Sequence, residues 1–187
     1  VSEYLPGVEA ARRAGVLQHW RRGPAGYYRA YARGEIGYQA QRMARANELH
    51  AVFGGPELDE EGYASWNALF ETGFRSGWRA HLDAVPAVRA LRGAGYPLGA
   101  LSNASFDYQA IKLEAVGLAA DVPMLVGVDT PGLRKLDPRD VVEACRWRGT
   151  MPEHTVYAGD GPDMEVRSAS VAELCAVRPE LPGSSPR

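Results

Sequence analysis

The sequence contains little cysteine, and its two cysteines form no pattern typical of a metal or redox site. Cys145 and Cys175 lie in apolar surroundings, and neither belongs to a Cys-x-x-Cys or Cys/His pair. This absence excludes a cysteine-based zinc motif. We expect two reduced thiols in the core, as in a cytoplasmic protein.

Long apolar runs and an excess of one charge are also absent. No run approaches the roughly 20 residues that a membrane span requires, and the N-terminus lacks the basic-then-apolar order of a signal peptide. The 187 residues carry a net charge of -2, so the sequence lacks the excess of positive charge that is typical of nucleic-acid-binding proteins. We therefore expect a cytoplasmic globular protein that binds neither membrane nor nucleic acid. Its 45% hydrophobic content suffices for a real core.

The first part of the chain shows helical periodicity. The pattern predicts helices over about 6–14, 24–32, 37–52 and 59–79. Asp59 is the expected N-cap of the fourth helix, because an aspartate followed by further acids suits a helix N-terminus. An aromatic stripe then recurs at spacings of three and four residues, which is typical of a helical core. Its members are Tyr63, Trp66, Leu69, Phe70, Phe74 and Trp78.

From about Val85 the pattern changes to alternating helices and strands. Strands are predicted over about 96–101, 124–128, 155–158 and 174–177. Helices are predicted over about 86–93, 108–116 and 138–148, with another from about 164. This alternation predicts an α/β fold with a doubly wound parallel sheet. In such a sheet, ligands bind at the carboxyl ends of the strands.

Three polar motifs follow strands or precede a helix in a fixed order. Ser102-Asn103 ends an apolar strand, Lys135 precedes a predicted helix, and Gly159-Asp160 ends another strand, with Glu165 five residues later. Together they resemble motifs II, III and IV of the haloacid dehalogenase-like (HAD) hydrolase superfamily. The resemblance implies a Rossmann-like α/β core over residues 83–187 and an all-helical cap domain over residues 1–82.

The resemblance also implies roles for the residues that would meet the substrate. Ser102 would donate hydrogen bonds to the transferring phosphoryl group, and Asn103 would hold the loop or touch the substrate. Lys135 would lie against the phosphate, where its positive charge offsets the charge that develops in the transition state. Leu136 stands where most relatives have proline after this lysine, a change that leaves the charge in place.

Asp160 would bind Mg²⁺, since a carboxylate is a hard oxygen ligand for a hard cation. The family pattern asks for a second acid nearby, and both Glu165 and Asp163 are candidates. Met164 stands where relatives often have aspartate, so the sequence does not choose between these two acids.

The family's nucleophile motif, Asp-x-Asp at the end of the first strand, occurs nowhere in the sequence. Asp129 follows an apolar strand but has no second aspartate and lies after Ser102, so we interpret it as a turn residue. The opening residues, 1–4, resemble the segment that follows motif I in relatives. We therefore expect a chain begun just past its nucleophile, with a core that lacks its first, central strand. In-frame DNA upstream of Val1 should encode that strand.

The resemblance predicts a Mg²⁺-dependent phosphatase that acts on a small phosphomonoester through an aspartyl-phosphate. Without motif I, the chain as given is expected to be inactive. One alternative is a 2-haloacid dehalogenase, which needs no metal; the Gly159-Asp160-Gly161 segment argues against it. The other is a HAD-like binding protein that has lost catalysis, although Ser102, Lys135 and Asp160 are all retained.

Overall fold

The computed structural model describes residues 3–130, 138–159 and 172–177. The chain folds as two compact units, Val1–Gly77 and Trp78–Arg187. Among the described residues, no helix is both long enough and apolar enough to cross a bilayer.

The first unit is helical throughout its regular elements. A single 3₁₀ turn, Ala10–Arg12, leads into the first α-helix. The α-helices are α1 (Arg13–Arg22), α2 (Tyr27–Ala32), α3 (Tyr38–Phe53) and α4 (Glu60–Ser76).

The boundaries of α3 and α4 follow from their capping residues. The predicted N-cap of α4 is confirmed, because the Asp59 carboxylate accepts a hydrogen bond from the Gly62 backbone N–H at 2.8 Å. Gly54 ends α3 in the left-handed conformation, with φ of 77°, where a side chain would be strained. Its backbone N–H donates to the carbonyl of His50, which satisfies one of the last free carbonyls of the helix.

The prediction for the first helix is wrong. The sequence pattern placed it over about 6–14, whereas α1 occupies 13–22. Leu5 and Val8 instead form a turn, in which the Val8 N–H donates to the Leu5 carbonyl at 3.1 Å. Both side chains are buried in the core of the first unit. The hydrophobic gain from burying them in a turn therefore outweighs the local preference for a helix.

The core of the first unit lies between α1, α3 and α4. Tyr63 and Trp66 of the aromatic stripe are buried, as predicted, and Phe70 packs against them. Leu69 and Phe74 are 42% and 46% exposed, so the predicted core role fails at these two positions, whereas Trp78, the last member of the stripe, is buried. The other buried members are Leu5, Val8, Val16, Ala46, Leu49 and Leu58.

The second unit alternates helices and strands. In chain order its elements are α5 (Ala84–Gly93), β1 (Gly99–Leu101), α6 (Phe106–Ala115), β2 (Met124–Val126), α7 (Pro138–Arg148), β3 (Val156–Ala158) and β4 (Cys175–Val177). A 3₁₀ turn, Pro152–His154, precedes β3. The predicted bounds of α7 match the structure, because Pro138 suits the first turn of a helix.

The described strands pair in two parallel couples rather than in one continuous sheet. β1 pairs with β2, with Gly99 opposite Met124 and Leu101 opposite Val126. β3 pairs with β4, with Val156 opposite Cys175. Within the described residues, no hydrogen-bonded strand joins β1 to β3.

One hydrophobic cluster nevertheless connects the two couples. Its buried members come from α7 and from the residues that lead into β4: Val141, Cys145, Ala172 and Leu174. Leu101 of β1 and Tyr157 of β3 both pack against this cluster. The two strand couples therefore share one core, as expected for the α/β unit predicted from the sequence.

The two cysteines are both free thiols, but only one lies in the core. Cys145 of α7 is buried at 4% exposure, whereas Cys175 of β4 is exposed. Successive side chains of a strand point to opposite faces, so Cys175 lies on the face opposite that of Ala176, which packs inward. The prediction of two core thiols is therefore wrong for Cys175.

The buried carboxylate of Asp121 links the turn after α6 to α5 through hydrogen bonds. Asp121 is 8% exposed and accepts hydrogen bonds from Arg92 at 2.8 Å and from Arg89 at 3.3 Å. The hydrogen bond from Arg92, followed by that from Arg89 and the charges of both guanidinium groups, lowers the pKa of Asp121 against the opposing effect of desolvation. The carboxylate thus stays ionised at neutral pH.

Candidate active site at the carboxyl end of β1

Ser102 lies directly after β1, where the pairing with β2 continues into the loop. Its backbone N–H donates to the Val126 carbonyl at 2.8 Å. Two residues further on, the Ala104 carbonyl accepts from the Val128 N–H at 3.0 Å. These bonds hold residues 102–104 at the carboxyl end of a parallel strand couple, the usual position of ligand-binding residues in α/β sheets.

The Ser102 hydroxyl oxygen is an acceptor in both of its described hydrogen bonds. The Ala104 backbone N–H donates to Oγ at 3.1 Å, and the Gln109 side-chain amide donates to it at 2.5 Å. A serine hydroxyl has one proton to donate and two lone pairs that accept. Since both contacts use lone pairs, the hydroxyl proton is left to donate to a ligand oxygen.

The loop after β1 ends at the N-terminus of α6, which two side chains cap. Ser105 Oγ accepts from the Tyr108 backbone N–H at 3.4 Å. Asp129 Oδ1 accepts from the Phe106 N–H at 2.7 Å, so a carboxylate from the loop after β2 lies at the positive end of the helix. The interpretation of Asp129 as a turn residue is confirmed, because the Thr130 N–H closes that turn on the Gly127 carbonyl at 3.1 Å.

Gly127 is the point at which the loops after β1 and β2 touch. A Cβ at this position would lie 2.3 Å from the Phe106 nitrogen and 2.8 Å from the Ser105 carbonyl carbon. Both are backbone atoms, which cannot rotate away as the end of a side chain can. Glycine is therefore required here for close approach.

Replacing Gly127 with alanine should destabilise the second unit by about 1–3 kcal/mol, the usual cost of overpacking. The reason is that the loop carrying Ser102 would have to move away from the loop after β2. Urea unfolding followed by far-UV circular dichroism measures the change. Gly93→Ala is the matched control, since a Cβ there meets nothing within 4 Å. Equal midpoints for the two variants would contradict this explanation.

Asn103 follows Ser102 and is half-buried in the same loop. It takes part in at least one further interaction within the folded protein. The structure therefore brings Ser102 and Asn103 together at the end of β1, where the sequence placed them.

The other predicted site residues lie outside the described residues. Lys135 belongs to the segment 131–137, and Asp160, Asp163 and Glu165 belong to the segment 160–171. The described chain does reach both segments: α7 begins at Pro138, and β3 leads to Gly159, which is buried and donates to the Val177 carbonyl at 3.2 Å. Across the described part of the chain, no three His, Cys, Asp or Glu side chains are grouped to hold a metal ion.

A family model for haloacid dehalogenase-like hydrolases matches residues 4–173 of the chain. The chain belongs to this family. The family and fold predicted from the order of the three motifs, a HAD-like Rossmann-type core with a helical cap, are confirmed.

Two curated relatives of this HAD hydrolase are phosphatases by name. A phosphoserine phosphatase from Thermus thermophilus is 34% identical over 139 residues, which cover 69% of this chain and 56% of the relative. A glyceraldehyde 3-phosphate phosphatase from Methanopyrus kandleri is 33% identical over 96 residues, which cover 51% of this chain and 41% of the relative. The HAD hydrolase chain thus spans about half the length of these relatives.

Among solved structures, an L-2-haloacid dehalogenase resembles this HAD hydrolase with a TM-score of 0.75. The match covers 100% of this chain and 82% of that chain at 17% identity. At this level of identity the similarity establishes the fold and leaves the chemistry open.

Sequence reasoning missed the residues that shape the loop after β1. Gln109 lies seven residues after Ser102 and donates to its hydroxyl, a contact that depends on how α6 packs onto the loop. One signal for this contact was available in the sequence: Gln109 is a polar residue early in the helix that follows the strand-end serine. The role of Gly127 had none, because it arises where two loops distant in sequence meet.

Proposed function

We propose that this chain belongs to a Mg²⁺-dependent phosphatase that hydrolyses a small phosphomonoester through an aspartyl-phosphate. One observation carries the proposal: at the carboxyl end of β1, the Ser102 hydroxyl accepts two hydrogen bonds, which leaves its proton available as a donor. The phosphatase names of the two curated relatives support the choice of a phosphate ester as that ligand.

Ser102 is proposed to bind an oxygen of the transferring phosphoryl group. Its Oγ is fixed by the donors of Ala104 and Gln109, so little rotational freedom is lost when the hydroxyl donates to the phosphate. A hydrogen bond to a charged oxygen is stronger than one between neutral groups. Asn103, next in the loop, is proposed to contact the substrate or to hold the loop.

Lys135 is proposed to neutralise the phosphate and the attacking carboxylate. The residue stands three positions before Pro138, where α7 begins. A lysine supplies a compact positive charge and three donors, which suits phosphate oxygens that gain negative charge as the reaction proceeds.

The metal is proposed to bind Asp160 together with Glu165 or Asp163. All three offer carboxylate oxygens, the donor type that Mg²⁺ prefers, so the donor set fits the ion. The pairing of β3 with β4 continues as far as Gly159, so Asp160 follows the carboxyl end of a parallel strand couple in the chain. Mg²⁺ bound there would lower the negative charge of the phosphate oxygens and so ease attack on phosphorus.

The nucleophile is the component that the 187 residues lack, since they contain no Asp-x-Asp. In the described residues, β1 and β3 each have one strand partner, and both strands pack against a shared core. An additional strand ending in Asp-x-Asp, paired with both, is proposed to complete the sheet and to supply both carboxylates. The chain without this strand is proposed to be inactive, and the helical residues 1–82 are proposed to serve as the cap of the complete enzyme.

The Ser102 assignment is tested in an extended variant that carries an apolar strand ending in Asp-x-Asp ahead of Val1. Replacing Ser102 with alanine should raise the KM for an aryl phosphate and the inhibition constant of orthophosphate by about 10- to 100-fold. This factor corresponds to the free energy of one hydrogen bond to a charged group. Steady-state phosphate release measures both constants. Ser102→Thr, which keeps the hydroxyl, should retain most of the affinity.

Ser105→Ala is the matched control for this experiment. Ser105 caps α6 one turn away, so its loss should cost about 1 kcal/mol of stability while leaving phosphate affinity nearly unchanged. Equal loss of phosphate affinity in the Ser102 and Ser105 variants would show that the loop's shape, rather than the Ser102 hydroxyl, is responsible.

A further inference from the structure

A cavity of about 260 Å³ lies in the helical unit, where α1, α2 and α3 meet. Four of its lining residues are arginines: Arg21 and Arg22 from the end of α1, Arg29 from α2 and Arg45 from α3. Tyr28 supplies an aromatic wall. None of the described residues that line this cavity is acidic, so four positive charges converge without a lining carboxylate.

The turn between α1 and α2 brings these arginines together. Gly23 and Gly26 have φ values of 52° and 77°, in the left-handed region that favours glycine. The Gly26 N–H donates to the Gly23 carbonyl at 2.9 Å and closes the turn. The reversal places the end of α1 beside the start of α2, so arginines from both helices line the same cavity.

The three exposed arginines are available to a ligand. In the described part of the chain, the side chains of Arg21, Arg22 and Arg29 form no ion pair and donate no hydrogen bond. Each guanidinium has five N–H donors in a planar fork that matches phosphate and carboxylate oxygens. An anion in the cavity would therefore meet unused donors on several sides.

Arg45 forms the inner wall of the cavity and is held rigidly. Its guanidinium lies over the Trp20 ring at 4.0 Å and donates to the Trp20 carbonyl at 2.6 Å. Its Nε is buried without a hydrogen-bond partner. Desolvation, followed by repulsion from Arg42, lowers the pKa of Arg45, and the opposing effects of Tyr28, Glu48 and Tyr38 offset this shift only in part. A bound anion would add a further favourable interaction with this guanidinium.

We propose that this cavity binds a small anion with two or more negative charges, of the kind represented by pyrophosphate or a phosphorylated small molecule. Its volume of about 260 Å³ lies just below the usual range for drug-sized ligand sites, which suits a compact anion rather than a nucleotide. The site uses none of the residues assigned to phosphoryl transfer.

The test is isothermal titration calorimetry of the 187-residue chain with sodium pyrophosphate at low ionic strength. Saturable binding of one pyrophosphate per chain is expected, and added salt should weaken it. The double variant Arg22→Ala/Arg29→Ala should bind at least about tenfold more weakly, because two charge-assisted hydrogen bonds are lost. Both side chains are exposed, so the fold should survive, which far-UV circular dichroism checks.

A matched control distinguishes this site from binding by general positive charge. The double variant Arg12→Ala/Arg13→Ala removes the same charge from exposed positions outside the cavity and should keep the wild-type affinity within about twofold. The proposal is overturned by an absence of saturable binding, by equal weakening in the two arginine double variants, or by unchanged binding in the Arg22→Ala/Arg29→Ala variant, which would place the pyrophosphate elsewhere in the chain.

Discussion

Replacing Glu71 with alanine is expected to lower the free energy of unfolding by about 3–5 kcal/mol, the cost of leaving a buried charge without its partner. Glu71 of α4 accepts from Arg42 of α3 at 2.9 Å, and the two side chains are only 18% and 10% exposed. Arg42 also donates to Asn67 at 2.9 Å and lies over the Phe70 ring at 4.5 Å. Without Glu71, this guanidinium would stay among aromatic rings with no carboxylate partner among the described residues.

Urea unfolding followed by far-UV circular dichroism measures the change. Glu71→Gln keeps an oxygen acceptor without the charge and should give an intermediate loss. Glu35→Ala is the matched control, because the Arg33–Glu35 pair joins side chains that are 56% and 52% exposed, where an ion pair adds little. The explanation fails if the Glu71 and Glu35 variants unfold at the same urea concentration.

Helix ends were predictable from sequence where a local side chain fixes them. Asp59 caps α4 through its own carboxylate, and Pro138 begins α7, so each boundary depends on chemistry within a few residues. The first helix was misplaced because Val8, within the predicted range, belongs to a turn and is buried together with Leu5. Which apolar residues meet in a core is decided by tertiary packing, which local periodicity does not contain.

The position of the candidate site was predictable from the sequence, but the contacts around it were not. Ser102 and Asn103 lie at the end of β1, because an apolar run followed by polar residues signals the carboxyl end of a buried strand. The partners of Ser102 were not predictable, since Gln109 reaches it only through the packing of α6. Gly127 carried no signal in the sequence, because its restriction comes from the Phe106 and Ser105 backbones.

The 187-residue chain is expected to release no phosphate from an aryl phosphomonoester above the uncatalysed rate. It lacks the Asp-x-Asp pair that the proposed mechanism needs for attack on phosphorus and for protonation of the leaving group. The extended variant, with an apolar strand ending in Asp-x-Asp, should restore catalysis. A second extended variant ending in Asn-x-Asn is the matched control, because it supplies the same strand without either carboxylate.

The most direct test of the central claim is phosphate release by the extended variant in Mg²⁺ and in EDTA, with chloride release from a 2-chloro acid measured in parallel. Phosphate release is expected to require Mg²⁺, to be abolished by EDTA and to be absent from the Asn-x-Asn control, with no chloride release in either buffer. Chloride release that persists in EDTA, without phosphate release, would contradict the phosphatase assignment and establish a metal-independent dehalogenase instead.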